Sequence, residues 1–194
     1  MNRQKVCIIG GGLTGLITSI VISKLGINVD LMTNKTSNKI KSNRTTAISQ
    51  NNYNFLKKLK IFNFSSSDFW PSSKMELYTQ NEKNNLLKIF EMNKKEKKIL
   101  YMIKNSKLIT SMTNYIKKNK LISLKKIKSV SGIINSGLLK GIESDSTNKK
   151  YNLIIICTGQ KSNIVQSIFG NQKLEKSYDE VSITTTISHA STPN

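Results

Sequence analysis

The sequence has few acidic residues and almost no histidine, cysteine, proline or arginine. Its 194 residues include 11 Asp and Glu, one histidine, two cysteines and two prolines. With His189 as the single histidine, a serine–histidine–acid triad has no support, and no histidine–cysteine spacing typical of a zinc site occurs. We therefore expect no metal site, and the residue types alone assign no catalytic residue.

The shortage of acids leaves a formal net charge of +20, from 31 Lys and Arg. Such a charge attracts nucleic acid or an anionic membrane surface. Arg3 and Arg44 are the only arginines, however, whereas nucleic-acid sites favour arginine among aromatic side chains. We interpret the lysines as solvated surface charge and expect no nucleic-acid partner. Peripheral association with an acidic membrane is the alternative.

The N-terminus imitates a signal peptide, because Arg3 and Lys5 precede an apolar stretch. Three glycines interrupt that stretch, and no clear small-residue cleavage site follows. Residues 13–25 are also too short for a membrane span, which needs roughly twenty apolar residues. Cys7 and Cys157 lie in apolar runs and are predicted to be buried, reduced thiols. We expect a cytoplasmic protein, soluble or peripheral on the inner membrane face.

The first third of the chain has the pattern of a strand–helix–strand unit. The apolar run at residues 6–9 predicts a central parallel strand that is covered on both faces. Apolar positions at residues 16–21 then have helical spacing, and Gly26 stands where a helix C-cap glycine belongs. Residues 27–33 predict a second strand. This order of elements is typical of an α/β fold with a parallel sheet.

Between the first strand and the helix the sequence reads GGGLTG, at residues 10–15. In a strand-to-helix context this Gly-x-Gly-x-x-Gly pattern predicts a dinucleotide phosphate site. Gly10 permits a tight turn, Gly12 lets a diphosphate approach the backbone, and Gly15 lets helix and strand pack closely. The helix N-terminus, with Leu13 and Thr14, then supplies amide donors and partial positive charge. The alternative is a glycine turn without a ligand.

The end of the second strand usually has an acidic residue that binds the ribose hydroxyls, and here it has Thr33. A threonine cannot accept two hydrogen bonds from a diol as a carboxylate does. Asp30, three residues earlier, is expected to point elsewhere. We therefore predict that Thr33 binds ribose more weakly than the usual acid.

The remaining patterns predict further helices and strands, with a smaller antiparallel sheet. In chain order they are a helix after an N-cap at Ser49, extended segments at 74–78 and 86–90, a helix from Ser106, short strands within 127–144 with a hairpin turn at 135–137, a doubly buried strand at 153–157, a helix at 162–169 and a weak strand at 181–188.

Four ordered segments resemble the FAD-dependent aromatic-ring hydroxylases, the flavoprotein monooxygenases, and most of all their ubiquinone-biosynthesis branch. The segments are the glycine loop, NRTTAIS at 43–49, YMIKNSKL at 101–108 opening a helix, and ICTGQKS at 156–162. The resemblance implies the N-terminal half of such an enzyme, with a Rossmann-like FAD/NAD(P)-binding fold and a parallel central sheet. It also implies a small antiparallel β excursion and the beginning of a second, substrate-domain sheet. The FAD-binding domain would comprise residues 1–70 and 100–172, and partial substrate-domain strands would comprise 71–99 and 173–194.

The resemblance also implies cofactor contacts beyond the glycine loop. Arg44 and Thr45 would lie at the flavin's phosphate or ribityl region, and Asn105 would contact the cofactor. Val130 would meet the adenine through its strand backbone, and Gly159 belongs to a second fingerprint. The alternatives are a surface arginine at position 44 and a helix cap at position 105.

The second fingerprint of this family normally contains Asp-Gly, followed by an arginine at the position of Val165. Thr158 and Val165 stand in place of these two charged residues. Because the fingerprint is associated with flavin and nicotinamide binding, these substitutions put reduction of the flavin in question.

The activity implied by the resemblance is hydroxylation of an aromatic ring, with a ubiquinone precursor as the expected substrate. FAD would carry the reaction, with NADH or NADPH as co-substrate and oxygen as oxidant. A prenylated phenol would suit a membrane-facing protein. Members of the family continue well beyond this length, so a complementing C-terminal chain is expected. The alternatives are a non-catalytic dinucleotide-binding fragment and a flavin-dependent reductase of isoprenoid lipids.

Overall fold

A computed structural model of the chain describes residues 4–34, 44–61, 68–93, 98–128, 130–144, 149–159 and 162–170, with residues 176, 181 and 183. Within these ranges the elements are, in chain order, β1 (Lys5–Ile9), α1 (Leu13–Lys24), β2 (Asn28–Thr33), β3 (Thr45–Ser49), α2 (Gln50–Lys58), β4 (Trp70–Ser72), β5 (Lys74–Gln80), β6 (Leu86–Asn93), β7 (Leu100–Lys104), α3 (Asn105–Lys118), β8 (Ile122–Lys126), β9 (Val130–Ser136), β10 (Leu139–Ser144), β11 (Lys150–Tyr151), β12 (Leu153–Ile156) and α4 (Asn163–Phe169).

The chain divides into two compact units. Unit 1 comprises Met1–Ile40 and Ile109–Ile183, and unit 2 comprises Lys41–Leu108 and Thr184–Asn194. The predicted strand at 181–188 lies outside the described residues, except for Val181 and Ile183. None of the helices in the described ranges is long and apolar enough to cross a membrane.

Unit 1 is built on a parallel sheet with strand order β12-β1-β2-β8. All three strand pairs are parallel, with Val6 opposite both Val29 and Leu153. The apolar run of β1 is at most 5% exposed, as the sequence predicts for a central strand covered on both faces. The predicted α/β fold with a parallel central sheet is confirmed.

Helix α1 connects β1 to β2 and buries one face. Its buried residues repeat with helical spacing: Gly15, Leu16, Ser19, Ile20 and Ser23. Two of these are serines, and each satisfies its hydroxyl by donating to a carbonyl of the preceding turn. Gly26 follows with φ +78 and donates its N–H to the Ser23 carbonyl, which confirms the predicted C-cap.

The prediction of a doubly buried strand at 153–157 is wrong in its burial. Strand β12 forms there, but Leu153 is 49% exposed and the rest of the strand is half-buried. The sheet order explains this, because β12 lies at the edge of the four-stranded sheet and pairs with β1 on one side. An apolar run does not distinguish a central strand from an edge strand.

A second sheet of unit 1, antiparallel and ordered β11-β10-β9, packs next to the first. The chain turns between β9 and β10 at Gly137, whose φ is +61, so the predicted hairpin is confirmed. Ile142 and Tyr151 from this sheet are at most 1% exposed and join Cys7 and Met32 in one core cluster. This cluster holds the two sheets of unit 1 together.

Unit 2 contains an antiparallel sheet ordered β3-β7-β4 that the sequence patterns did not predict. The predicted helix from Ser106 is confirmed as α3, which begins at Asn105 directly after strand β7. The N-cap of α2 is confirmed, because the Ser49 hydroxyl accepts a hydrogen bond from the N–H of Asn52 at 3.3 Å. The apolar side chains of α2 are only partly buried, since Leu56 is 9% exposed but Phe55 is 46% exposed.

The extended segments at 74–78 and 86–90 are confirmed as a separate hairpin of unit 2, β5 paired antiparallel with β6. Its charged residues pair with one another through Lys74, Glu76, Lys88 and Glu91. The hairpin exposes an unusual number of large apolar side chains: Met75, Leu77, Tyr78, Leu86, Leu87, Ile89, Phe90 and Met92.

Burial of Cys7 predicts a dependence of stability on pH. Burial, with the Asp30 carboxylate nearby, raises the pKa of the Cys7 thiol to about 12. Above pH 9.0, the thiol's ordinary pKa, the unfolded chain therefore loses this proton before the folded chain does. The free energy of unfolding then falls by up to about 1.4 kcal/mol per pH unit as the pH rises toward the folded-state value.

Cys7→Ala removes this contribution, so we expect a flatter decline between pH 9.0 and about 12. Urea unfolding of both proteins over this range measures the two slopes. Burial, the largest cause, also raises the pKa of Tyr151 in both proteins, so most of the effect of Tyr151 cancels in the comparison. Equal slopes would show that Cys7 is not buried as described.

Candidate functional site

The glycine loop lies at the carboxyl edge of the parallel sheet, between the ends of two strands. Gly10 donates its N–H to the Met32 carbonyl at 2.8 Å, which fixes the loop to the end of β2. Cys157 donates its N–H to the Ile9 carbonyl at 2.7 Å, which fixes the end of β12 beside β1. In open α/β sheets this edge is where ligands bind.

Two of the glycines are required by close packing of the backbone. Gly10 has φ +120, and a Cβ at this position would overlap the carbonyl oxygen of Cys157. A Cβ on Gly15 would overlap the carbonyl oxygen of Gly10 and lie 3.4 Å from the Cβ of Cys157. These contacts agree with the roles that the sequence assigns to Gly10 and Gly15.

Gly12 differs from the other glycines of the loop because it faces open space. A Cβ there would meet no atom of the described residues within 4 Å, and its φ of −78 suits any residue. Neither packing nor backbone strain therefore requires glycine at this position. The free space above the backbone suits the approach of a ligand, as the sequence predicts.

Gly11 is a residue whose importance the sequence did not reveal. A Cβ at this position would overlap the side chain of Thr33 at the end of β2. The Gly-x-Gly pattern treats this position as variable, so nothing in the motif identifies it. The contact fixes the Thr33 side chain against the glycine loop.

The N-terminus of α1 has donors without acceptors inside the helix. The hydrogen bond from the Leu16 N–H to the Gly12 carbonyl, at 2.9 Å, is typical of the start of a helix. The amides of Leu13, Thr14 and Gly15 precede it and have no acceptor in the helix. The first turn contains no acidic residue, and none of the side chains that the structure describes caps it. This end of the helix therefore presents partial positive charge and amide donors to an anion.

Asp30 is not at this edge, as the sequence predicts. It is 2% exposed and accepts a hydrogen bond from the Tyr151 hydroxyl at 2.9 Å. The Lys5 ammonium lies 3.0 Å from the same carboxylate oxygen. Asp30 thus belongs to a buried polar network, and Thr33 is the residue that ends β2 beside the glycine loop.

Thr158 is the second residue at this edge that the sequence did not select. Within the described ranges its hydroxyl oxygen is the one buried side-chain polar atom that has no hydrogen-bond partner. Its backbone nitrogen would lie 3.0 Å from a Cβ placed on Gly10. An unpartnered buried hydroxyl costs free energy, so its presence beside the glycine loop suits a ligand that would complete the hydrogen bond. Gly159 follows with φ +79.

Arg44, Thr45 and Asn105 lie together in unit 2. Thr45 is opposite Lys104 in the β3–β7 pair, and Asn105 donates its N–H to the Arg44 carbonyl at 3.0 Å. The Thr46 hydroxyl donates to the side-chain oxygen of Asn105. The predicted contact of these residues with a cofactor stays a prediction.

Val130 begins β9 and is half-buried against the core cluster of unit 1. Its predicted contact with adenine also stays a prediction. The other site residues predicted in unit 1 lie on or beside the glycine loop and the ends of β12 and β2: Gly10, Gly12, Leu13, Thr14, Gly15, Thr33 and Gly159. Amide donors, open space above Gly12 and the Thr158 hydroxyl together suit the diphosphate of a dinucleotide.

Comparison with known proteins agrees with this geometry. A family model described as an FAD binding domain matches residues 3–134. A search of curated proteins finds no match.

Solved structures with a similar fold include p-nitrophenol 4-monooxygenase PnpA from Pseudomonas putida DLL-E4, at 14% identity and a TM-score of 0.64, covering 86% of this chain and 43% of that one. The structure of 2,6-dihydroxypyridine-3-hydroxylase from Arthrobacter nicotinovorans is also similar, at 14% identity and 0.60, covering 87% and 40%. CtdE in complex with FAD and a substrate is 18% identical, with a TM-score of 0.65 and coverage of 88% and 41%. The chain thus spans about two fifths of the length of these structures.

Proposed function

Because this chain belongs to the family of FAD binding domains, we propose that it is the FAD-binding part of a flavin-dependent monooxygenase that hydroxylates an aromatic ring. The observation that carries the proposal is the glycine loop at the carboxyl edge of the sheet, where a Cβ on Gly12 would meet no described atom and the first amides of α1 have no acceptor in the helix. Two proteins of similar fold, a p-nitrophenol monooxygenase and a dihydroxypyridine hydroxylase, support the reaction class.

In this proposal the residues of unit 1 bind and orient the cofactor. The amides of Leu13, Thr14 and Gly15 donate to the diphosphate, and the Thr158 hydroxyl donates one further hydrogen bond. Thr33 contacts the ribose as a neutral partner. When bound, FAD would supply the redox chemistry, taking electrons from NADH or NADPH and using oxygen to hydroxylate the substrate.

A prenylated ubiquinone precursor is the substrate that we propose within this class. Its support is the resemblance of the four segments to the ubiquinone branch. The net charge of +20 would favour association with an acidic membrane surface, where such a lipid-soluble phenol resides. Product analysis after incubation with a prenylated phenol distinguishes hydroxylation from the reduction that an isoprenoid-lipid reductase would carry out.

We also propose that a complementing polypeptide covers the β5–β6 hairpin. The support is the set of large exposed apolar side chains on that hairpin. A two-stranded hairpin alone is only marginally stable in water. Its internally paired charges favour an apolar protein partner over an anionic one.

The proposed function is tested by measuring FAD uptake with the chain as it stands. Purified protein is incubated with FAD or with FMN, which lacks the diphosphate and the adenosine, and free flavin is removed by gel filtration. We expect a flavin absorption band to remain after FAD and not after FMN. A colourless protein in both cases would refute the proposal. Oxidation of NADH or NADPH by the loaded chain would exclude a non-catalytic binding fragment.

Thr158→Val is expected to change stability and cofactor binding in opposite directions. Valine has a similar shape and removes the unpartnered buried hydroxyl, so the protein without FAD should be stabilised, by roughly 1 kcal/mol. The same substitution removes a donor to the diphosphate and should weaken FAD binding about tenfold. Thermal unfolding without FAD and titration with FAD measure the two effects. A destabilised variant with unchanged FAD affinity would assign Thr158 a purely structural role.

A further inference from the structure

We propose that the carboxyl ends of β2 and β8 bind a phosphate group on the ribose of an adenosine nucleotide, through Lys126 beside Thr33. The inference rests on the proposed function, because it requires the nucleotide's 5′-phosphate at the N-terminus of α1. It extends the ligands of this site to nucleotides that have a phosphate on a ribose hydroxyl, because FAD has no such phosphate.

The register of the sheet places Lys126 next to the residue that ends β2. Thr33 and Lys126 are partners in the parallel β2–β8 pair, and the Ile127 N–H donates to the Thr33 carbonyl at 3.0 Å. Pairing therefore continues to the carboxyl end of both strands. Neighbouring strands are about 4.8 Å apart, and register partners project from the same face of a sheet. The Thr33 side chain faces Gly11, so Lys126 begins on the face of the glycine loop.

The charges at this edge favour an additional phosphate. A carboxylate at the end of the second strand binds ribose hydroxyls and repels a ribose phosphate, whereas a nearby cation accommodates it. Thr33 is neutral, and residues 9–15, 33–34, 126–128 and 156–159 contain no acidic residue. Lys126 is exposed and, among the described residues, forms no ion pair. A cation and a neutral hydroxyl thus replace the usual acid.

Lys125 provides a matched control on the same strand. It is the register partner of Met32, and successive side chains of a strand point to opposite faces. Met32 belongs to the buried cluster on the face away from Thr33. Replacing either lysine by glutamine lowers the net charge equally. A difference in nucleotide affinity between the two variants therefore reflects the position of the lysine and not the net charge.

The test compares 5′-AMP with adenosine 2′,5′-bisphosphate as competitors of FAD. We expect the bisphosphate to bind about tenfold more tightly than AMP, because one charge-assisted hydrogen bond contributes roughly the free energy of a tenfold change in affinity. Lys126→Gln should remove this preference, Lys126→Arg should keep it and Lys125→Gln should leave it unchanged. Thr33→Glu should weaken the bisphosphate more than AMP.

Two results would overturn the inference alone: FAD and AMP bind while the bisphosphate has no advantage, or both glutamine variants lose the advantage equally. If neither FAD nor any of the nucleotides binds, the proposed function and the inference both fail. The FAD titration of the wild-type chain, performed first, distinguishes these cases.

Discussion

Gly15→Ala should destabilise unit 1 and remove measurable FAD binding. The added Cβ would overlap the carbonyl oxygen of Gly10, which belongs to the backbone and is held by the hydrogen bond from Gly10 to Met32. Overpacking against a fixed backbone costs roughly 3 kcal/mol. Relief of the overlap moves α1 away from β1, so the amide donors no longer converge on the diphosphate. We expect FAD affinity to fall by at least about a hundredfold.

Gly12→Ala is the matched control for this prediction. The same methyl group enters open space there, so the free energy of unfolding should change by at most about 1 kcal/mol, the cost of alanine at an N-cap. FAD affinity should nevertheless fall, because the methyl group occupies the space that the diphosphate approaches. Urea unfolding and FAD titration of both variants separate packing from binding. A Gly12→Ala protein that binds FAD like the wild type would place the diphosphate elsewhere.

Asp30→Ala should destabilise the fold strongly without affecting FAD affinity. The substitution leaves the fully buried Tyr151 hydroxyl without its acceptor and removes the partner of Lys5. Because the Lys5 side chain is 38% exposed, its ammonium can return to water, and most of the cost comes from Tyr151. We expect the free energy of unfolding to fall by about 2 to 3 kcal/mol.

Asp30→Asn keeps an acceptor for the Tyr151 hydroxyl and should cost only about 1 kcal/mol. Urea unfolding measures the free energy of unfolding of the two variants. FAD titration is performed on both at a temperature where each is folded. If FAD affinity fell in both folded variants, Asp30 would be a ligand of the ribose and not a member of a structural network. Equal losses of stability would contradict the hydrogen bond to Tyr151.

The strand–helix–strand unit was predictable because several local signals agree there. The β1 run is apolar throughout, the glycines impose a turn, and α1 has helical spacing that ends at Gly26. These signals depend on neighbouring residues in the chain, so the sequence contains them. The position of the loop at the carboxyl edge follows from the same order of elements.

Strands β8 and β3 escaped prediction because their state depends on distant partners. β8 contains Lys125 and Lys126 and lacks a clean apolar alternation, yet it pairs with the buried β2 along five positions. β3 is polar and forms by pairing with β7, from about 55 residues further along the chain. Tertiary pairing overrides local propensity in both strands.

The candidate site also has features that the sequence predicts and features that depend on tertiary contacts. The glycine roles were predictable from the motif, whereas the demands on Gly11 and Thr158 arise from contacts with other strands. Gly11 must be small because Thr33 lies against it, and the Thr158 hydroxyl, just beyond the end of β12, has no hydrogen-bond partner among the described residues. A motif with fixed residue spacing cannot predict either contact, because each contact joins segments that are distant in sequence.

Binding of the FAD diphosphate at the start of α1 is tested most directly by the response of individual backbone amides to FAD in a nitrogen–proton correlation spectrum of the isotope-labelled chain. We expect the amide resonances of Leu13, Thr14 and Gly15 to shift on addition of FAD, and the same resonances to shift less in Gly12→Ala. Binding of FAD with these three amides unmoved, and with the largest changes elsewhere in the chain, would contradict this expectation.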